Sequence, residues 1–567
     1  MKKLYSVTNF SQGINEYSPQ GASDIKNFNI TNDGVLETRR GWTVNNSFSL
    51  SELSDTGSPM QVFFANQKLL MQTNNGLYYG VGNTWAAVSN QTGESGAIYT
   101  GYFAARLKVV VADNNRVFLA STNANLWLDT SDTPTLYKWG IDAPDLLDMT
   151  VTFTSAPAGL SKGKYAYAFA YEGLFGAMSP LTARSVQTIG DTVGTYGWSF
   201  PSASSLNAQI QKIIIYRTEK VTQVSFDDGQ PHEQVLAENA PLKRIGELAR
   251  ASMGVAVAPD SDFDDNEKVP SIGLAPLAGQ LEGAAKPPNY LTNITLYGGR
   301  IWGSIGTSAG DNTDQLVFSA LDETAAPLYD IFPGSDAAIP HIVNTRDQVT
   351  GIGASRDYLA VFSNNSIQLV RGQGVISGIY GKQQPGTDLD LSQYLTLMGA
   401  KDDWCVAESL GNVYFYSPHD QRVYRIDRDG NVAWISQAIQ ELLSGSESPT
   451  FLGGDPTAGS IQQVVAHEGS IYVVRRASGD VTLFQFDELR DQWTSHNFGS
   501  SANMTSFTSN PRQKAGEHSI GLYALRDVDN QVVKIFPYSG AGSTNDNLAA
   551  IVPSYTSQEF AFTKPTR

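Results

Sequence analysis

Cysteine is nearly absent from this chain: Cys405 stands alone among 567 residues. One thiol excludes a disulfide framework within the chain and a cysteine-based zinc site. It lies in the apolar run Trp404–Ala407, where a small core residue is expected rather than a nucleophile. Histidine is scarce as well. The six, His232, His341, His419, His467, His496 and His518, are scattered, with no pair at metal-ligand spacing. Walker loops, nucleophile elbows and HExxH motifs are missing. Long apolar runs are missing too: nowhere do roughly 18 uncharged apolar residues stand together, so no membrane span is expected. The opening MKKLYSVTNFSQG carries two lysines without an apolar stretch behind them, which is not the form of a secretory signal. These features lead to the expectation of a soluble protein made in a cytoplasm.

Positive charge is the minority sign. Lys and Arg number 39 against 56 Asp and Glu, a formal charge of −17. An acidic chain repels phosphates, which argues against a protein that grips DNA but not against a channel through which DNA slides. Hard oxygen ligands cluster once, in DSDFDDNE, where Asp260, Asp262, Asp264 and Glu267 could face a cation. A calcium loop needs Gly at its sixth position and Glu at its twelfth, and here those are Asp265 and Ser271. A solvated acidic loop is the better reading. In DRDGN, Asp427–Asn431, the Asp-Gly pair is read as a hairpin turn. No catalytic, cofactor-binding or metal-binding residue is assigned, and the chain is expected not to be an enzyme.

What the sequence has in abundance is one pattern. An alternating apolar run meets an Asn/Asp/Gly turn and returns through aromatic or β-branched residues. It reads KLLMQTNNGLYYG from Lys68, KVVVADNNRVFLA from Lys108, YLAVFSNNSIQLV from Tyr358 and WCVAESLGNVYFYS from Trp404. It returns as RVYRIDRDGNVAWIS from Arg422, SIYVVRRASGDVTLFQF from Ser470 and GLYALRDVDNQVVKIF from Gly521. Period-two alternation around residues that accept positive φ signals β-hairpins. Their repetition at roughly 50–65 residues is the form of radial blades.

The expected fold is all-β: a β-propeller-like array of blades with an inserted β-sandwich and an extended N-terminal arm. Residues 1–50 are polar, punctuated by Gly13, Gly21, Gly34 and Gly41, and form the arm. First blades occupy 51–145. Short strands such as GKYAYAFAY and IIIYRTE place the sandwich at 146–248. The Ala/Gly/Pro-rich stretch 249–290 is a connector, and the remaining blades run over 291–567 from the hairpin ITLYGGRIWGS at Ile294. One short helix is expected at Ala438–Ser444, from the spacing of Ile439, Leu442 and Leu443.

The arm carries a resemblance. Phe10, Gly13 and Asn15, then Ala22, Asn27 and Phe28, then Asp33, Gly34, Leu36, Arg39 and Gly41 resemble the opening of tail nozzle, or tail tubular B-like, proteins of short-tailed bacteriophages. The segment Val349–Gly372 resembles a blade of that family, WISQAIQELLS its strand and small helix, and the inserted segment with GKYAYAFAY and IIIYRTE the fibronectin-like β-sandwich found in many of its members. The resemblance implies a structural virion protein at the distal end of a short tail, synthesised in the host bacterial cytoplasm. It implies a ring homo-oligomer, usually a hexamer, bound to a tail adaptor or portal-proximal ring and to tail fibres or spikes. Such a ring retains the genome and conducts phage DNA through its lumen without specific binding. Six copies at −17 each would carry about −100, repelling phosphates from the wall. The alternatives are a propeller glycan-binding protein or glycosidase acting on host surface polysaccharide, or a tail-fibre adaptor. A glycosidase would need two carboxylates brought together in the channel, which sequence spacing does not place.

Overall fold

The structure is a computed structural model. Apart from short gaps, it describes residues 57–218, 240–254, 287–321, 327–332, 342–372, 390–443, 460–498, 503–510 and 520–535, with strand segments between 22 and 46 and between 545 and 557. All seven repeated hairpins form antiparallel pairs, for example Leu70 opposite Tyr79 and Leu522 opposite Ile535. A further hairpin pairs Leu291–Tyr297 with Arg300–Gly306. The Asn-Gly and Gly-Asn turns supply the local reversal, and alternation gives each hairpin one face for each neighbour.

Seven sheets, each a blade, follow along the chain. Their innermost strands are Pro59–Ala65, Lys108–Val111, Leu291–Tyr297, Gly351–Ala354, Val406–Ser409, Ser460–His467 and Met504–Asn510, and we number the blades 1 to 7 in that order. Each innermost strand approaches that of the next blade, and that of blade 7 approaches that of blade 1, so the ring closes. Sandwiched between successive blades lie separate apolar cores: Phe63, Leu70 and Leu126 between blades 1 and 2, Trp302, Phe318 and Val361 between 3 and 4, and Phe362, Phe415 and Tyr424 between 4 and 5. Tyr416, Phe486 and Trp493 fill the 5–6 interface, and Val474, Phe507 and Leu522 the 6–7 interface. Between 7 and 1 lie Tyr523, Leu525, Met71 and Trp85. Blades buried on both faces explain the near-continuous apolar strands, such as Arg116–Ser121, buried throughout.

Parts of the N-terminal stretch lie on the ring. Trp42–Asn46 is the outermost strand of blade 7, antiparallel to Gln531–Ile535, so that blade is built from both ends of the sequence. Ala22–Lys26 meets Gln492–Asn497 of blade 6 at Lys26 and Ser495 and pairs antiparallel with Ser554–Ser557. The arm residues Phe10, Gly13, Asn15, Asn27, Asp33, Gly34, Arg39 and Gly41 lie outside the described residues, as do the acidic cluster 260–267 and His232, His341 and His518. At the helix expected over 438–444 a 3-10 turn, Gln437–Ile439, leads into α-helical Gln440 and Leu443, and the short helix Gly96–Gly101 was not anticipated, because GAIYTG has glycine at both ends and no apolar periodicity.

Between blades 2 and 3 stands a second β unit. Thr150–Leu160 pairs with Gly194–Ser199, and Gly163–Gly173 lies between Ser185–Ile189 and Ile210–Thr218, which in turn pairs with Leu242–Ala249. Alternation in GKYAYAFAY assigns its two faces. Tyr165, Tyr167, Phe169 and Tyr171 enter the core of the unit, where Phe169 meets Trp198 edge-on at 4.7 Å. The opposite face, with Ala168 and Ala170, packs beside Ile214, Tyr216 and Leu181 against Ala320 and Ile331 of blade 3. Small side chains on that face let the unit seat closely on the ring.

Candidate site in the central channel

Innermost strands of a propeller point side chains at the axis, and here several are polar. Gln61 donates from Nε2 to the Leu107 carbonyl at 2.9 Å, joining blades 1 and 2. Gln463 and Phe507 bond reciprocally, Nε2 to the carbonyl at 2.8 Å and backbone N–H to Oε1 at 2.9 Å, joining blades 6 and 7. The Val62 N–H donates to Ser506 Oγ at 3.2 Å across the 7–1 junction. Neighbouring innermost strands do not form a ladder, so amide and hydroxyl side chains satisfy the backbone there.

Blade 5 supplies the charges. Asp403 sits in a 3-10 turn whose preceding residue, Asp402, accepts from the Cys405 N–H through Oδ1 at 3.0 Å. Asp403 Oδ1 accepts from the Ile352 N–H of blade 4 at 3.2 Å, and Oδ2 meets Lys108 Nζ of blade 2 at 2.9 Å. Five residues on, Glu408 Oε1 accepts from the Ala354 N–H at 2.5 Å and from Thr295 Oγ1 of blade 3 at 3.1 Å. Two carboxylates from one blade therefore hold groups from three others. Next to them Arg106 lays its guanidinium 4.1 Å from the centre of the Trp404 ring, with Lys108 at 5.9 Å. Lys108, Asp403, Trp404 and Glu408 line, with Gln61 and Gln463, a cavity of about 290 Å³.

Enclosure by the ring sets the electrostatics. Burial raises the Asp403 carboxyl above the ordinary range, against the pull of Lys108. Glu408 is likewise raised, by desolvation first, although its side chain is reached by solvent in the channel; the ring encloses it while water still enters. Arg106 is lowered to about 10 by burial, and its Nε and Nη2 are buried without a hydrogen-bond partner. Chemically, the channel offers two carboxyls of high proton affinity, a lysine and an indole face: groups able to donate and accept protons or to hold a hydroxylated ligand.

One prediction follows from the sign of the Glu408 shift. A carboxyl whose folded pKa lies above its unfolded value costs stability once the unfolded chain ionises, upward from about pH 4.3, until the folded group also ionises. Glu408→Gln keeps an acceptor for Ala354 and Thr295 and removes that titration. Thermal melts of the variant should show a shallower fall in Tm across this window than the parent chain, and an identical fall would refute the assignment.

Asp403, Glu408, Arg106 and Lys108 were not singled out from the sequence, where carboxylates suited to a pair could not be placed. The available signal was charge at the end of or within an apolar innermost strand, as in KDDWCVAES. Of the histidines, His467 lies by Ser509 at 2.9 Å and His496 by Gln485 at 2.9 Å, each buried. Cys405 is buried in the core between blades 5 and 6, where desolvation pushes its thiol well up. Asp427 accepts from the N–H groups of Asp429 at 3.0 Å and Asn431 at 2.8 Å, closing the turn in DRDGN. Among the described residues no group of three or more His, Cys, Asp or Glu is placed to hold a metal, and no helix is long and apolar enough to cross a membrane.

No family model matches this chain, and no curated protein matches it. Among solved structures it is similar to a streptogramin B lyase, 10% identical over 76% of this chain and 92% of that one, with a TM-score of 0.28. It is also similar to a catalytically inactive virginiamycin B lyase from Staphylococcus aureus with quinupristin, 10% identical over 75% and 92%, TM-score 0.27. The Malassezia sympodialis allergen Mala s 1 is 8% identical over 52% and 86%, TM-score 0.24. The expectation that the chain is not an enzyme is corrected to an open one, since lyases stand among the solved structures it is similar to. The TM-scores carry no reaction over to this chain, whose chemistry rests on its own residues.

Proposed function

We propose that this propeller protein is a structural component of a short phage tail, forming a nozzle ring at its distal end that retains the genome and conducts it during ejection. The observation that carries the reading is the arm, from Phe10 to Gly41, whose motif residues resemble the start of nozzle proteins. Two further features support it. The stretch after that motif, Trp42–Asn46, closes blade 7, and a β unit stands between blades 2 and 3 as an elaboration of the ring. The acidic balance suits a wall along which DNA must slide. Light scattering on the purified full chain, with immunogold labelling of particles that contain it, tests the proposal. A ring-sized oligomer and label at the tail tip are expected; a monomer in virion-like salt, absent from purified particles, would overturn it.

A second reading is favoured by one specific observation: Asp403 and Glu408, both of raised proton affinity, share one cavity with Lys108 and Trp404. A propeller acting on host surface polysaccharide would use such a pair. Release of reducing ends from polysaccharide, lost in Asp403→Asn or Glu408→Gln, supports this reading; no release by the parent chain counts against it.

A further inference from the structure

A second cavity, of about 280 Å³, opens where blade 2, the inserted unit and the start of blade 3 meet. Its lining includes Asn123, Asn125, Asn207 and Asn289 with the aromatic rings of Tyr102 and Tyr290. The frame around it is rigid. Gln209 donates from Nε2 to the Gly140 carbonyl at 3.2 Å and accepts from Trp127 Nε1 at 3.0 Å. Arg250 donates to the carbonyls of Ile210, Ala203 and Leu206 at 2.8–3.0 Å, pinning the turn that presents Asn207.

Two details show that this cleft is more than a seam. Asn125, on the lining, gives its Nδ2 to the Pro288 carbonyl, which fixes the amide, and its Oδ1 is buried and has no donor. Leaving a buried acceptor empty is costly, and a ligand hydroxyl would satisfy it. Tyr290 adopts φ 63°, a conformation that a bulky side chain takes up only at a cost, while the residue is 37% exposed and lines the cleft.

The lining decides the ligand class. Amides both donate and accept, as hydroxyls do, and tyrosine rings offer flat apolar faces for C–H groups. Charge is balanced rather than cationic. The Lys138 ammonium is held by Glu94 Oε1 at 2.5 Å, and Asp142 stands on the same lining, so an anion gains little there. The volume sits at the small end of ligand pockets, about 300 Å³. We propose that this cleft is a binding site for a small neutral sugar, with Asn125 Oδ1 and Asn123 bonding hydroxyls and Tyr290 covering a ring face. The site is separate from the central channel and does not depend on the tail assignment.

Saturation-transfer NMR on the full chain tests this, using glucose, galactose, mannose and N-acetylglucosamine as probes and inorganic phosphate as the anionic control. At least one sugar should give a saturable response. Asn123→Ala, at an exposed position, and Tyr290→Gly, which relieves the backbone, should each weaken it about fivefold while melting like the parent. The proposal is overturned if no sugar responds, if phosphate binds in preference, or if both variants bind as the parent does.

Discussion

Replacing Trp42–Asn46 by a glycine–serine segment of equal length should lower the melting temperature sharply and make blade 7 the first part of the ring to be cut by protease. The strand pairs with Gln531–Ile535 at Trp42, Thr43, Val44 and Asn46 and is the outermost strand of its sheet. A ladder hydrogen bond contributes roughly 1 kcal/mol net, so the pairing itself is worth a few such units. The larger effect is topological. Blade 7 otherwise consists of Met504–Asn510, Gly521–Arg526 and Gln531–Ile535, and this strand, hydrogen-bonded to blade 7 and continuous in sequence with blade 1, ties the two blades together. Without it, blade 7 holds to blade 1 through contacts such as the Tyr523, Leu525, Val532, Met71 and Trp85 core and the bonds from the Val62 and Phe64 N–H groups to Ser506 Oγ and Thr508 Oγ1. The exposed edge of Gln531–Ile535 would also invite pairing with other chains. Limited proteolysis followed by mass spectrometry reads the outcome, and an unchanged melt with no new cleavage in 504–535 would refute the role.

Asp330→Ala should destabilise the chain by about 3–5 kcal/mol, the cost of taking one partner from a buried ion pair. Asp330 Oδ2 meets Arg116 Nη1 at 2.9 Å, with both side chains almost wholly buried. The pair joins blade 2 to a segment of blade 3 that is packed all around it. Arg116 lies 5.5 Å from the Phe118 ring centre and 5.4 Å from that of Tyr329; Trp139 donates to the Tyr329 carbonyl at 3.0 Å and meets Phe332 edge-on at 5.6 Å. Such an enclosure cannot hydrate a guanidinium deprived of its carboxylate. Asp330→Asn should cost less, because an acceptor remains. The double variant Arg116→Met, Asp330→Leu should regain most of the loss, since an apolar pair of similar bulk is close to neutral in such a place. Urea unfolding of the three variants gives the comparison; equal losses in all three would show that the pair is not the source.

How the protein was legible in its sequence follows from the range over which each feature is encoded. Every hairpin is written within about 15 residues, in alternation and turn chemistry, so KLLMQTNNGLYYG and SIYVVRRASGDVTLFQF fold as they read. The inserted unit was readable for the same reason, and GKYAYAFAY even carries its two faces, aromatic inward and alanine toward the ring. The glutamate that gathers Thr295 and Ala354 was not readable. Glu408 is one acidic residue among 56 Asp and Glu, and only the convergence of blades 3, 4 and 5 gives it its partners.

By itself, then, the sequence determined the hairpins of the blades and their all-β character, because local alternation and turn residues suffice for antiparallel pairing. Only the tertiary structure decided that there are seven blades among the described residues, that the ring is closed by a strand from the opposite end of the chain, and that Asp403, Glu408 and Lys108 meet in its channel. Those facts depend on contacts between residues hundreds of positions apart, Val62 and Ser506 being separated by 444. No local pattern carries that information: closure is set by how many twisted sheets fit around one axis, and channel chemistry by which side chains that closure turns inward.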